Sequence, residues 1–121
     1  VLEVLHQRKL PMGIATSGIQ VNIDFMFEHL PIRKYFSAVV NSTHIRKGKP
    51  DPEIYIKTAI QLNTSPGNCL VFEDAVVGIL AAHDAGMKTI AITTTHQAEE
   101  LERADLVIPD YLPLLEVVNL P

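Results

Sequence analysis

The stretch Cys69-Leu70-Val71-Phe72-Glu73-Asp74-Ala75 constrains this chain more than any other. It begins as a short, wholly apolar run, the pattern of a buried strand in a parallel sheet covered on both faces. The run stops at two adjacent carboxylates. A helical period then starts with Val76, Ile79, Leu80, Ala82 and His83, closed by Gly86. Glycine suits the left-handed position just past a helix end. Glu73 and Asp74 are therefore expected at the carboxyl end of a strand, where open α/β sheets bind ligands. Two neighbouring carboxylates repel, and a hard divalent cation relieves this by taking oxygen ligands. The same position would equally suit Asp74 as a plain helix cap.

The rest of the chain repeats this alternation. Residues 1–9 carry Val1, Leu2, Val4 and Leu5 ahead of a basic turn, the tail of an amphipathic helix that Leu10-Pro11 breaks. Met12 to Thr16 is a short strand, with Ser17-Gly18 at its carboxyl end. A helix is expected from Gln20 to His29, with Val21, Ile23, Phe25, Met26 and Phe27 on its buried side. Ala38 to Asn41 is a second strand, and Ser42 to Gly48 a polar, basic loop. Asp51 and Pro52 set up a helix start, which Ile54, Tyr55, Thr58, Ala59 and Leu62 continue and Asn63 ends. Lys88 to Thr93 is a further strand, Gln97 to Arg103 a short helix, Leu106 to Ile108 a last strand, and Tyr111 to Val118 a closing helix. Strands alternating with helices mean α/β with a parallel sheet, and no internal repeat or linker interrupts them.

Composition narrows the function. A length of 121 residues suits one domain, and 47% hydrophobic residues supply one core. The net charge of −4, without a block of like charge, offers no footprint for nucleic acid. No apolar run is long enough to span a bilayer. The single cysteine, Cys69, excludes an internal disulfide framework and fits a reducing, cytoplasmic setting. It is expected to pack as a small hydrophobe.

Three polar groups obey one rule. Thr16 and Ser17 end one strand, Glu73 and Asp74 end another, and Lys49 sits in the loop after a third, just before a helix. In a parallel sheet those ends share one edge, so all three can meet in one pocket. Two hydroxyls beside a helix start make a phosphate site, a lysine adds a point charge, and the carboxylate pair supplies a metal seat. Together they describe a magnesium-assisted phosphate site. Taken singly, Thr16 and Ser17 read as caps and Lys49 as a solvated lysine. The five histidines lack metal-site spacing, with His44 notable only for leading toward Lys49. Tyr35, Phe36 and Tyr55 are expected as core and core-edge aromatics.

Ala15-Thr16-Ser17-Gly18, Gly48-Lys49-Pro50-Asp51-Pro52-Glu53-Ile54-Tyr55, and Phe72-Glu73-Asp74-Ala75 with Gly78 and Ala85-Gly86 resemble the haloacid dehalogenase-like hydrolase superfamily. The nearest branch is that of beta-phosphoglucomutase and the small sugar-phosphate phosphatases. The resemblance implies a Rossmann-like three-layer core. Thr16 would hold the transferring phosphoryl group, with Ser17 adding a contact. Lys49 would neutralise nucleophile and phosphate, and Glu73 with Asp74 would hold Mg2+. The family's nucleophile is the first aspartate of an Asp-x-Asp motif, the second serving as acid and base, on a strand that precedes a helical cap. No Asp-x-Asp occurs in these 121 residues. Residues 1–121 are thus expected as the C-terminal part of such a core, incomplete at the N-terminus, with the nucleophile strand and cap supplied by a missing N-terminal segment of the parent chain. The intact protein is expected to act on a small phosphorylated metabolite through an aspartyl-phosphate, as a phosphatase rather than a mutase. The alternative is a non-catalytic phosphate-binding module. A flavodoxin-like nucleotide binder is disfavoured because no Gly-rich phosphate loop is present.

Overall fold

Strand and helix alternate through the computed structural model, which describes residues 1–118. Helix α1 spans Leu2–Gln7, strand β1 Gly13–Ala15, helix α2 Gln20–His29 and strand β2 Ala38–Val40. Helix α3 (Glu53–Gln61), β3 (Leu70–Glu73), α4 (Val76–Asp84), β4 (Lys88–Ile92), β5 (Leu106–Ile108) and α5 (Leu112–Val118) follow. The segment from Gln97 to Arg103 is shorter and tighter than expected, a 3-10 turn over Ala98–Leu101. Four residues between the Gln97 N-cap and the Glu102 C-cap leave no length for an α-helix to propagate.

Helix ends follow their residues. Lys9, Asn63 and Gly86 each take a positive φ immediately past a helix. After α4, the Gly86 amide donates to the His83 carbonyl and the Met87 amide to that of Ala82, closing the helix with a Schellman pair. Asn63 with Thr64, and Lys9 with Leu10, repeat the geometry after α3 and α1. Pro52, rather than Asp51, stands at the N-cap of α3, and Asp51 just before it accepts the Glu53 amide on Oδ1 at 3.0 Å.

Every strand pair is parallel, but the strands fall into two sheets. Ile14 pairs with Val39 in one; Phe72 pairs with Ile90, and Ala91 with Val107, in the other. The orders are β1–β2 and β3–β4–β5, and no ladder joins β1 to β3 among the described residues. A layer made of α3 and α4 spans the break. Helix α3 packs on β1 and β2, and α4 on β3 and β4. The main core lies beneath this layer, where Val40, Ile54, Ala59, Val71, Ala82 and Met87 meet, with Cys69 partly buried against them. On the opposite face of the second sheet, Leu114 of α5 covers Ile90, Ile92 and Ile108.

Two burial expectations need correction. Strand β3 is not covered throughout, since Leu70 is exposed and only Val71 is buried; β4 is the strand buried along its length, from Thr89 to Ile92. The cause is neighbourhood: among the described residues β4 has a strand on each side, β3 on one only. In α2, Val21 and Phe25 are each 63% exposed, and Ile23 is the buried residue. At 100° per residue, Ile23, Met26 and Phe27 share one face and Val21 and Phe25 the other. Phe25 shields itself by stacking on His29, ring centres 4.1 Å apart.

Candidate active site

A cleft of about 370 Å³ opens where the carboxyl ends of β1 and β3 face one another. Thr16, Ser17, Lys49, Glu73 and Asp74 all line it. Five residues from three separate stretches of sequence are therefore brought to one site.

Thr16 continues β1, its amide bonded to the Val40 carbonyl. Its hydroxyl oxygen accepts the Gly18 amide at 3.0 Å. That acceptor role leaves the hydroxyl proton free to be donated to an anion. Ser17 is exposed at the lip. The turn is tied to β2 through Ser42, whose amide and hydroxyl both donate to the Gly18 carbonyl. Buried Asn41 ties it again, donating to Gln20 and accepting from the amide and hydroxyl of Thr43. His44 serves here, its Nδ1 accepting the Asn41 amide, so it is a turn-building residue.

Lys49 departs from the expectation of a solvated loop lysine. Its side chain is only 12% exposed, and its ammonium meets Glu73 Oε1 at 2.5 Å across a sequence gap of 24 residues. Burial here follows from packing: Lys49 Nζ stands 4.9 Å from the centre of the Tyr55 ring. The loop before it is held by Glu53, which accepts the Arg46 and Lys47 amides and the Lys57 ammonium. The Lys47 and Arg46 amides, then Lys57, pull the Glu53 carboxyl from 4.5 down to about 2. The Lys49–Pro50 peptide bond is cis.

The two carboxylates have different surroundings. Glu73 is 8% exposed and fully engaged. Its Oε1 accepts Lys49 and the Tyr55 hydroxyl; its Oε2 accepts the Asp74 and Ala75 amides at 3.2 and 3.4 Å. Asp74 does not cap α4, for which Ala75 is the N-cap with no side-chain bond. One of its oxygens, Oδ2, accepts the Thr95 hydroxyl at 3.0 Å. His96 Nδ1, 2.8 Å from the Asp74 carbonyl, must carry a proton to bond there. No group of three or more His, Cys, Asp or Glu among the described residues gathers as a ready-made metal site.

Several contributors escaped the sequence. Tyr55 read as a core aromatic, yet its hydroxyl reaches Glu73, and burial foremost, then the Glu73 charge, pushes its pKa far above the usual tyrosine value. A buried tyrosine needs a partner for its hydroxyl, which is the signal that could have flagged it. Thr94 and Tyr111 also line the cleft, and Tyr111 packs on Phe72 with ring centres 5.7 Å apart. Thr94 follows the carboxyl end of β4, the same signal that marks Thr16, whereas nothing local marks Tyr111, which precedes α5.

A family model described as haloacid dehalogenase-like hydrolase matches residues 1–92. The chain is 37% identical over 110 residues to validoxylamine A 7'-phosphate phosphatase of Streptomyces hygroscopicus subsp. limoneus, covering 91% of this chain and 52% of that protein. It is 36% identical over 104 residues to beta-phosphoglucomutase of Bacillus subtilis, covering 86% of this chain and 44% of that protein. Among solved structures, beta-phosphoglucomutase from Clostridium difficile superposes with a TM-score of 0.82 at 27% identity, covering 98% of this chain and 53% of that one. The chain spans about half the length of these relatives.

Proposed function

Because the chain belongs to the haloacid dehalogenase-like hydrolases, we propose that the protein containing it transfers the phosphoryl group of a small phosphomonoester such as a sugar phosphate. Hydrolysis is favoured over mutase chemistry. The observation that carries this is the convergence of Thr16, Lys49 and Asp74 on one cleft at the carboxyl ends of β1 and β3. Relatives named as phosphatases and as a phosphoglucomutase support the substrate class.

Each residue has a role its surroundings allow. Thr16, its oxygen already accepting Gly18, donates its hydroxyl proton to a phosphoryl oxygen. Ser17 adds a contact at the lip. Lys49, anchored on Glu73, offers its remaining N–H donors and its charge to the phosphoryl group and nucleophile. The nucleophile is an aspartate on a further strand of the parent chain, which would pair with the unladdered edges of β1 and β3. Phosphoryl transfer to that carboxylate and then to water splits one hard displacement into two.

Magnesium fits the donor chemistry of the site. Asp74 and Glu73 are hard oxygen donors beside a phosphate cradle, and Mg2+ is commonly held by one or two carboxylates plus substrate phosphate. Asp74, with one oxygen on Thr95, has more to offer than Glu73, whose two oxygens are both occupied. The cation would supply charge neutralisation at the phosphoryl oxygens.

The test is phosphate release from a panel of phosphomonoesters by the intact protein, with magnesium and with chelator. Magnesium-dependent release from a sugar phosphate is expected. Binding of phosphomonoesters with no turnover under any condition would instead identify a non-catalytic phosphate-binding module.

A further inference from the structure

Tyr55 joins the core to the site. Its ring is buried in α3 within the main core, while its hydroxyl crosses to β3 and donates to Glu73 Oε1. The same oxygen takes the Lys49 ammonium, and the other carboxylate oxygen faces two backbone amides. A carboxylate offers about four lone-pair sites, so four donors hold Glu73 in one orientation. An ammonium has three N–H donors. Glu73 takes one of those of Lys49, and Lys49 borders the cleft.

We propose that Tyr55 is a positioning residue for phosphoryl transfer, its hydroxyl occupying Glu73 Oε1 so that Lys49 is directed into the cleft rather than folded onto the carboxylate. Without the hydroxyl, Oε1 keeps Lys49 as its one remaining donor and the carboxylate is free to turn. Lys49 then follows the carboxylate and withdraws from the transferring group. The ring faces the ammonium from the side, so the same residue limits movement in two directions. The kinetic consequence rests on the phosphoryl transfer proposed above; the orientation of Lys49 does not.

The decisive variant is Tyr55→Phe in the intact protein, which keeps the buried ring and removes one oxygen. Two readouts are taken. Turnover is expected to fall about tenfold with KM within about twofold, because Lys49 is misdirected mainly where charge develops. The 15N ammonium resonance of Lys49, assigned by its disappearance in Lys49→Arg, is expected to shift or broaden in Tyr55→Phe. In an active wild type, either readout unmoved overturns the proposal. A turnover loss that merely matches a lost folded fraction overturns it too. If wild type turns over no phosphomonoester, the function proposal fails, and the ammonium resonance alone decides the positioning claim. Should Tyr55→Phe not fold, Tyr55→Met, equally without a donor, supports the same comparison.

Discussion

Gly78 lies directly against the carboxyl group of Glu73, so closely that a Cβ at position 78 would clash with the carboxyl carbon and both oxygens. The first turn of α4 is notched at the one place where the Glu73 side chain folds back over it. Glycine is needed there for space. Alanine normally favours a helix over glycine by about 1 kcal/mol, but here overpacking costs about 1–3 kcal/mol. Gly78→Ala is therefore expected to lower the melting temperature and to reduce turnover by displacing Glu73 from Lys49. A higher melting temperature with full turnover would show that the carboxylate moves aside freely.

Removing one member of a buried ion pair strands the other, at a cost of about 3–5 kcal/mol. With Lys49 12% and Glu73 8% exposed, Lys49→Ala should lower stability as well as rate, contrary to what an exposed loop lysine would do. The double variant Lys49→Ala/Glu73→Ala should lose less stability than the sum of the two single changes. Urea denaturation of all four forms measures this, and strict additivity would mean the pair is not coupled.

Asp74 makes no cap to α4, so Asp74→Ala should spare most of the stability a lost cap would cost, about 0.5–2 kcal/mol. Its effect belongs to the chemistry. In the intact protein, Asp74→Ala should abolish most magnesium-dependent turnover across a magnesium titration. Parental turnover in that titration would remove Asp74 from the cation site.

Glu53 sets a pH dependence with a definite sign. Its carboxyl is depressed in the folded state from 4.5 to about 2 by the Lys47 and Arg46 amides and by Lys57. A depressed carboxyl contributes stability above its unfolded pKa and loses it as pH falls through the folded one. Stability should therefore decline from about pH 4.5 toward pH 2, and Glu53→Gln should flatten that part of the curve while leaving its slope near pH 7 unchanged. Thermal melts across this range compare the two forms.

Among the described residues, strands β1 and β3 each have a hydrogen-bonding edge without a ladder partner. Each buried, unsatisfied backbone group costs about 1–3 kcal/mol, against a net domain stability of about 5–15 kcal/mol. Residues 1–121 expressed alone should therefore melt broadly or associate through these edges. The N-terminal part of the parent chain, added in trans, should sharpen the transition. Size-exclusion chromatography with a thermal melt decides it, since a sharp transition from a monomer would mean the two edges satisfy one another.

Local chemistry was legible in the chain itself. Apolar runs of strand length, helical periods and the stops at Asn63 and Gly86 determine the order of elements, because each depends on neighbours a few residues away. The α/β rule then places Thr16, Lys49 and Asp74 at one sheet edge, because parallel strands point their carboxyl ends the same way. The tertiary structure alone decided which polar atoms meet. Glu73 finds Lys49 24 residues away and Tyr55 18 away, and Gly78 leaves the space in which they do so. It also decided that no ladder joins β1 to β3 among the described residues, that β4 rather than β3 is buried from its second residue to its last, and that Val21 and Phe25 face outward. Periodicity tells which residues share a face; only the packing of distant elements tells which face is covered and which charge finds a partner.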